Sequence, residues 1–239
     1  MRPAPHPAPA AVLAHHLVTG LAVTAPWLFL LPRAQSSGVP PVAVLLGVVA
    51  VVLPLLAVGL LRRRLHAEGL SGALRTPAVR VRLGLQRPGR SAVLRCGLPA
   101  ALAAVVLPAA GLPVEAALHR TGWFDAWPST GLPLAPSTGT LVLWVVVAVV
   151  VGPVVEELLF RGLLQPLLPG GAWGRVVGGS ALFAVYHLWQ PAAWVTVWLA
   201  TLPVAWVRER TGSTWLAAGV HVGVNAVALA LFTVGVLQR

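Results

Sequence analysis

The chain is poor in charged residues and contains no lysine. Only 10% of its 239 residues are charged, whereas 57% are hydrophobic. Soluble globular domains carry roughly 25% charged residues, so a surface this poor in charge cannot face water on all sides. Most of that surface must therefore face lipid, and the sequence predicts an integral membrane protein.

The basic excess is carried by arginine, with 17 basic against 6 acidic residues. A strongly basic chain raises nucleic acid as a partner. We exclude that partner, because the arginines concentrate between Arg62 and Arg95, beside apolar segments, as the positive-inside rule expects of cytoplasmic loops. The single cysteine, Cys96, excludes both an internal disulfide and a cysteine-based zinc site.

Apolar segments suited to crossing a bilayer, which takes about 20 residues each, recur along the chain. We predict seven spans, at residues 11–32, 41–61, 92–112, 141–168, 176–190, 192–207 and 214–236. The expected fold is all-α, a polytopic transmembrane helix bundle of about seven spans, or eight if a re-entrant piece is present. We divide it into residues 1–91, a transmembrane hairpin with a basic loop, and residues 92–239, the main bundle.

Arginine also sets the predicted orientation. The arginine-rich loop 62–91 is expected in the cytoplasm, and the loop 113–138, where Arg120 lies near Glu115 and Asp125, is expected outside. The N-terminus is then cytoplasmic. The absence of lysine is typical of a GC-rich genome, and we expect a bacterial plasma membrane.

A few ionisable side chains fall inside the predicted spans, where each costs roughly 2.5–3.5 kcal/mol and so needs a reason. The groups are Glu156, Glu157 and Arg161 in the fourth span, His187 in the fifth, and His221 with Asn225 in the seventh. At about 1.5 Å per residue, the glutamates and histidines lie roughly 10–18 Å from the inner surface. They are therefore expected to meet in one site.

Spacing assigns partners within this set. Glu157 precedes Arg161 by four residues, the favourable order for a helical ion pair. Glu156 lies about 100° around the helix and is left to face another helix and a water. The same four-residue spacing places Phe183 and His187 on one face of their helix, and His221 and Asn225 on one face of theirs.

These residue types suit the hydrolysis of an amide bond. A buried glutamate is a general base for water, and a histidine helps to orient that water. A second histidine with an asparagine can donate hydrogen bonds to a developing oxyanion. Glu156, His187 and His221 are also a zinc-ligand set. The sequence leaves the zinc-dependent and metal-free mechanisms both open, but the absence of HExxH excludes a standard zincin.

Three motifs resemble those of the CPBP intramembrane proteases, the CAAX protease or Abi family. Glu156 to Arg161 reads EExxxR, Phe183 to His187 reads FxxxH, and His221 to Asn225 reads HxxxN. The order and spacing of the motifs carry the resemblance, which covers about residues 140–230 of the chain. The N-terminal half carries none of these motifs.

The resemblance implies an all-helical membrane endopeptidase. Glu156 would be the general base, His187 would help to activate water, and His221 and Asn225 would form the oxyanion pocket, or His221 would bind metal. Glu157 and Arg161 would be the supporting pair, with Phe183 beside them. The implied partners are membrane lipid and a membrane-associated peptide or protein, of the prenylated CAAX or bacteriocin-like kind.

Two other classes of function fit the same residues. Glutamate and histidine also relay protons in transporters, but transporters are often built from repeats, and we find none. A non-catalytic immunity or scaffold protein of the same fold would tolerate loss of Glu156. Tyr186 and Trp189, which flank His187, are expected to be packing residues.

Overall fold

The computed structural model describes residues 9–70, 76–124, 127 and 136–237, so Asp125 lies outside the described residues. In this part of the chain eight helices and no strands are found. The helices are α1 (Pro9–Ser36), α2 (Pro41–Ala67), α3 (Pro77–Arg82), α4 (Arg90–Arg120), α5 (Thr138–Leu167), α6 (Ala172–Tyr186), α7 (Trp194–Thr211) and α8 (Thr214–Leu237).

Five of these helices (α1, α2, α4, α5 and α8) are long and apolar enough to cross a membrane. The predicted fifth and sixth spans correspond to α6 and α7, which have 15 and 18 residues and are not among the five. Large apolar side chains point outward from the bundle, with Phe29, Leu55 and Leu231 exposed by 70%, 69% and 64%. An all-α polytopic bundle with a lipid-facing exterior is therefore confirmed.

Two predicted boundaries were wrong. Residues 113–120, expected in a loop, are helical, because α4 resumes at Leu112–Arg120 after a 3₁₀ turn over Leu107–Ala110. The predicted span 176–190 ends early, at Tyr186, because the ψ angle of 58° at His187 leaves the helical region. His187 therefore lies at the C-terminal end of α6 and not inside it.

Helix α5 is widened on both sides of Glu156. Turns of π-helix cover Trp144–Val151 and Glu157–Leu164, and an ordinary α-helical segment, Gly152–Glu156, joins them. A Cβ atom at Gly152 would lie 2.8 Å from the carbonyl oxygen of Val147. Glycine is thus required at position 152, where the widened turn brings the backbone of Val147 close to it. Such π-turns are frequent at functional sites.

The interior contains two apolar clusters. The larger cluster joins α1, α2, α3, α5 and α6, and its fully buried side chains include Trp27, Leu53, Leu83 and Phe160. The smaller one joins α4, α7 and α8 around Ala104. Because α2 packs on α5 within the larger cluster, the N-terminal helices and the motif-bearing helices share one core.

The short helix α3 is held against the ends of its neighbours. Glu68, just after α2, accepts hydrogen bonds from Arg64 Nε at 2.7 Å and from Arg82 Nε and Nη2 at 2.7 and 2.9 Å. Burial opposes ionisation of this carboxyl, but the hydrogen bonds and charges of Arg82 and Arg64 outweigh it and lower the pKa of Glu68. The ionised carboxylate therefore links α2 to α3.

The start of α8 fixes the other end of α3. Thr214 Oγ1 donates to the carbonyl oxygen of Leu83 at 2.5 Å, and the Thr214 amide donates to that of Gly84 at 2.8 Å. Arg82 Nη1 reaches the carbonyl oxygen of Gly162 in α5 at 3.5 Å. The apolar side of α3 thus closes one end of the bundle.

Most described arginines lie at this same end, which we call the arginine-rich end. It comprises the end of α2, helix α3, the starts of α4, α6 and α8, and the ends of α5 and α7. Its arginines are Arg62, Arg63, Arg64, Arg80, Arg82, Arg87, Arg90, Arg95, Arg175, Arg208 and Arg210. The opposite end carries Arg33, Arg120 and Glu115.

Substituting alanine at Gly84 is expected to destabilise the docking of α3. Gly84 has a φ angle of +66°, and an added Cβ would lie 2.3 Å from the carbonyl oxygen of Gly212. Strain of this kind costs about 1–3 kcal/mol, so the thermal midpoint in detergent should fall. The matched control is Gly47→Ala in α2, where an added Cβ meets nothing within 4 Å. Equal midpoints for the two variants would contradict the docking.

Candidate active site

Glu156 is buried at the centre of the helix bundle, on α5. Its Oε1 atom accepts a hydrogen bond from the Tyr186 hydroxyl at 3.3 Å and lies 4.0 Å from Nε2 of His187. The second gap is too long for a direct hydrogen bond. It is a separation that a bridging water can span.

The orientation of His187 is fixed from both sides. Its Nδ1 atom pairs with the carbonyl oxygen of Phe183 at 2.9 Å, and its own carbonyl oxygen accepts from Trp194 Nε1 at 3.0 Å. Since the partner of Nδ1 is an acceptor, Nδ1 carries the proton. In the neutral ring Nε2 is then an acceptor that faces Glu156. The position at the end of α6 allows this, because the chain turns away after Tyr186.

Glu157, the next residue along α5, contacts the side chains of both His221 and Arg161. Its Oε1 atom lies 2.9 Å from Nδ1 of His221, and its Oε2 atom lies 3.5 Å from Nε of Arg161. The side chains of Glu157 and Arg161 are 0% and 1% exposed. Glu157 therefore orients His221 and balances a fully buried guanidinium, and it does not line the cavity.

Phe183 is the aromatic centre of this cluster. The guanidinium carbon of Arg161 lies 4.2 Å from its ring centroid, a distance at which a cation is attracted to an aromatic face. The same ring contacts the rings of His187 and His221, with centroids 4.8 and 5.8 Å away. The predicted supporting residue thus touches both histidines.

Asn225 projects from α8, one turn beyond His221. Its Nδ2 atom donates to the carbonyl oxygen of Ala148 at 2.8 Å. An asparagine amide has two N–H groups, so this bond uses one and leaves one for the cavity. The bond also fixes α8 against the π-helical part of α5.

A cavity of about 240 Å³ joins these side chains. Glu156, His187, His221 and Asn225 all line it, together with Phe183. The rest of its wall is mostly apolar and comes from α2, α5 and α7. A mainly apolar cavity with a few convergent polar groups is the usual form of a ligand site.

The donor set suits zinc in its chemistry but is not a preformed metal site. Both histidines pair Nδ1 with an acceptor and leave Nε2 toward the cavity, as metal-bound histidines do. However, no group of three His, Cys, Asp or Glu side chains among the described residues is arranged to hold a metal ion. We therefore derive no step through a metal.

The structure brings the sequence-predicted residues into one cluster across three helices. Glu156, His187, His221 and Asn225 line one cavity, and a second set, Glu157, Arg161 and Phe183, packs around them. Tyr186 was missed, because it was expected to pack and instead donates to Glu156. A buried tyrosine usually needs a hydrogen-bond partner, and this was the signal in the sequence.

Replacing Tyr186 with phenylalanine is expected to lower kcat by about 10–10²-fold and leave KM unchanged. A hydrogen bond to a charged group contributes roughly 1.5–3 kcal/mol, and about 1.4 kcal/mol is tenfold in rate. The aromatic ring, which contacts Phe160 and Phe183, stays in place. Ser180→Ala, which removes a buried hydroxyl elsewhere on α6, is the control. Equal kcat values for both variants would assign Tyr186 to packing alone.

One comparison with known proteins found a similar family. Residues 138–227 match the family model described as Rce1-like, Type II CAAX prenyl endopeptidase Rce1-like. Searches of curated proteins and of solved structures each found no match. The fold is that of an integral membrane protein, and residues 138–227 are similar to a family of endopeptidases. The resemblance to the CPBP family of CAAX proteases is confirmed over the matched residues.

Proposed function

We propose that the chain hydrolyses a peptide bond of a membrane-associated substrate, with Glu156 as the general base. The observation that carries this proposal is the 4.0 Å gap between Glu156 Oε1 and His187 Nε2 at the wall of a cavity. An ionised carboxylate and the Nε2 atom of a neutral histidine are both hydrogen-bond acceptors. A water in that gap therefore donates one hydrogen bond to Glu156 and one to His187, and accepts none from them. Its oxygen lone pairs are then free to attack.

The first step removes a proton from this water. Glu156 takes the proton as the water oxygen forms a bond to the carbonyl carbon of the scissile peptide. His187 holds the second O–H and so fixes the direction of attack. The hydrogen bond from Tyr186 occupies one side of Oε1 and keeps the carboxylate facing the cavity.

The negative charge that develops on the carbonyl oxygen needs a donor. Asn225 supplies its remaining Nδ2–H from the cavity wall. His221 has Nδ1–H on Glu157, so Nε2 donates to the oxyanion only when the ring is protonated. The loss of one such donor typically costs about 10²–10³ in kcat. Asn225 is therefore the principal oxyanion donor in this proposal.

Collapse of the tetrahedral intermediate completes the reaction. The C–N bond breaks, and Glu156 returns its proton to the leaving nitrogen as a general acid. The products are a carboxylic acid, formed with the hydroxyl proton of the intermediate, and a free amine; the acid proton then passes to the amine, and Glu156 is again ionised. Glu157 and Arg161 take no proton in this scheme, because they lie behind the cavity wall and act by positioning His221 and Phe183.

The proposal is tested with detergent-purified protein and a broad library of membrane-associated peptides, including prenylated CAAX and bacteriocin-like sequences. We expect cleavage by the wild type that persists after exhaustive chelation, with zinc content well below one ion per chain. Stoichiometric zinc, with activity lost to chelator and restored by zinc, would replace the metal-free scheme with a metalloprotease. No cleavage of any peptide would instead favour a non-catalytic scaffold of this fold.

A further inference from the structure

We propose that helix α1 positions His187 through a close backbone contact at Gly20. This role of Gly20 rests on the proposed function, in which His187 orients the attacking water. Gly20 is a positioning residue and not a catalytic one, since it does not line the cavity. It lies outside the matched residues 138–227. The geometry of the site thus depends on a helix that the family model does not cover.

His187 is the central residue of a tight turn at the end of α6. Its φ and ψ angles are −74° and 58°, and the amide of Leu188 donates to the carbonyl oxygen of Tyr186 at 2.8 Å. These angles, with a hydrogen bond between residues two apart, are those of an inverse γ-turn. The carbonyl oxygen of Tyr186 therefore closes the turn that sets the direction of the His187 side chain.

Gly20 of α1 packs directly against this carbonyl group. A Cβ atom added at Gly20 would lie 2.5 Å from the carbonyl oxygen of Tyr186 and 3.1 Å from Cδ1 of Leu188. Ordinary contacts of a Cβ atom are 3.4–4 Å, so an alanine here would force the two segments apart by about 1 Å. Glycine permits the approach because it has no Cβ. Helix α1 therefore contacts both residues that flank His187.

A second contact from the same face of α1 supports the turn through aromatic rings. His16 lies four residues before Gly20 and so shares its face. The buried ring of His16 packs on Phe160, with centroids 5.1 Å apart. Phe160 packs in turn on Phe183 and Tyr186, with centroids 5.1 and 4.7 Å away. One face of α1 thus supports the turn at His187 twice, by backbone contact and through the Phe160 ring.

Other segments hold the carbonyl groups that follow the turn. Trp194 Nε1 donates to the carbonyl oxygen of His187 at 3.0 Å, and Trp127 Nε1 donates to that of Trp189 at 2.8 Å. If α1 is displaced, the Tyr186 carbonyl moves while the His187 carbonyl stays bound to Trp194, so the His187 ring rotates. The gap to Glu156 then changes. A misplacement of about 1 Å at reacting groups can cost about 10²-fold in rate.

The first test is Gly20→Ala in the full chain. We expect kcat to fall by about 10²-fold, with KM near that of the wild type because the residues that line the cavity are unchanged. Gly84→Ala is the control for lost stability, since an added Cβ there would lie 2.3 Å from a carbonyl oxygen at the arginine-rich end. It should lower the thermal midpoint and leave kcat near the wild-type value. Gly178→Ala on α6, where an added Cβ meets nothing within 4 Å, should change neither.

A second measurement requires no cleavage. In protein labelled with ¹⁵N-tryptophan, the indole resonance of Trp194 reports its hydrogen bond to the His187 carbonyl, and its loss in a Trp194→Phe variant assigns it. We expect this resonance to shift in the Gly20→Ala protein and to stay in place in the Gly84→Ala and Gly178→Ala proteins. The expected shift in a protein that cleaves no peptide would support the positioning by α1 and refute only the proposed function.

His16→Ala is the second variant, and it decides the outcome if the Gly20→Ala protein does not fold. It removes the ring that packs on Phe160 and adds no atom. We expect a smaller fall in kcat than for Gly20→Ala, an unchanged KM and a shifted Trp194 resonance. An unshifted resonance in the folded Gly20→Ala protein, or in its absence in the His16→Ala protein, would overturn the proposal. Equal losses of kcat in the Gly20→Ala and Gly84→Ala proteins would also overturn it, because reduced stability would then account for both.

Discussion

Replacing Glu156 with glutamine is expected to lower kcat by about 10²–10⁴-fold, the usual contribution of a general base. Glutamine keeps the size of the side chain, and its amide oxygen can still accept from Tyr186. It cannot take a proton from water. The measurement is the rate of cleavage of the best library peptide by the purified variant, with thermal midpoint and gel-filtration profile as evidence of folding.

The matched control for this variant is Glu115→Gln, which removes a carboxylate that pairs with Thr196 and does not line the cavity. We expect its cleavage rate to stay near that of the wild type. A folded Glu156→Gln protein that cleaves at the wild-type rate would remove Glu156 from the mechanism. The proposed division of roles between the two adjacent glutamates would then fail as well.

Replacing Arg161 with methionine is expected to lower the free energy of unfolding by about 3–5 kcal/mol, the usual cost of removing one partner of a buried ion pair. Methionine fills most of the volume beside Phe183, so lost packing is a minor part of the effect. Glu157 would then have only His221 as a partner. Reversible denaturation in mixed detergent micelles gives the measurement.

Two further variants separate the charge effect from other causes. The double variant Glu157→Gln with Arg161→Met removes both charges, and most of the lost stability should return, because a buried pair often contributes little net energy. Arg175→Met breaks the half-buried pair with Glu209 and should cost no more than about 1 kcal/mol. Equal losses for Arg161→Met and Arg175→Met would mean that burial of the first pair has no energetic consequence.

The membrane fold, and which residues belong to the candidate site, were predictable from the sequence for simple physical reasons. Apolar length predicts spans, and ionisable groups inside spans are few and costly, so Glu156, Glu157, His187 and His221 were apparent without coordinates. The four-residue spacing also predicted the pair of Glu157 with Arg161, which the structure places 3.5 Å apart. Local spacing was enough because each of these facts concerns one helix.

What could not be predicted depends on contacts between distant segments. Nothing in the spacing of Glu157 shows that it bonds to His221, 64 residues away, or that α3 closes one end of the bundle through Thr214. The end of α6 at Tyr186 was missed because no glycine or proline follows it directly, and the first proline is Pro191. The sequence alone does not reveal that the chain turns there to present His187.

The walls of the cavity were likewise outside the reach of the sequence. In the sequence, Val42 and Leu45 of α2 cannot be distinguished from apolar residues that face lipid or the core. Whether they line a cavity depends on how α2 packs against α5. The arginine distribution predicted which end faces the cytoplasm.

The most direct test of Glu156-dependent peptide hydrolysis is cleavage of a membrane-associated peptide in water enriched in ¹⁸O, with the products analysed by mass spectrometry. The account predicts one ¹⁸O atom in the new C-terminal carboxylate formed by the wild type in a single turnover, and product formation slower by about 10²–10⁴-fold in the Glu156→Gln variant. Product formed at equal rates by both proteins, or product without ¹⁸O, would contradict it.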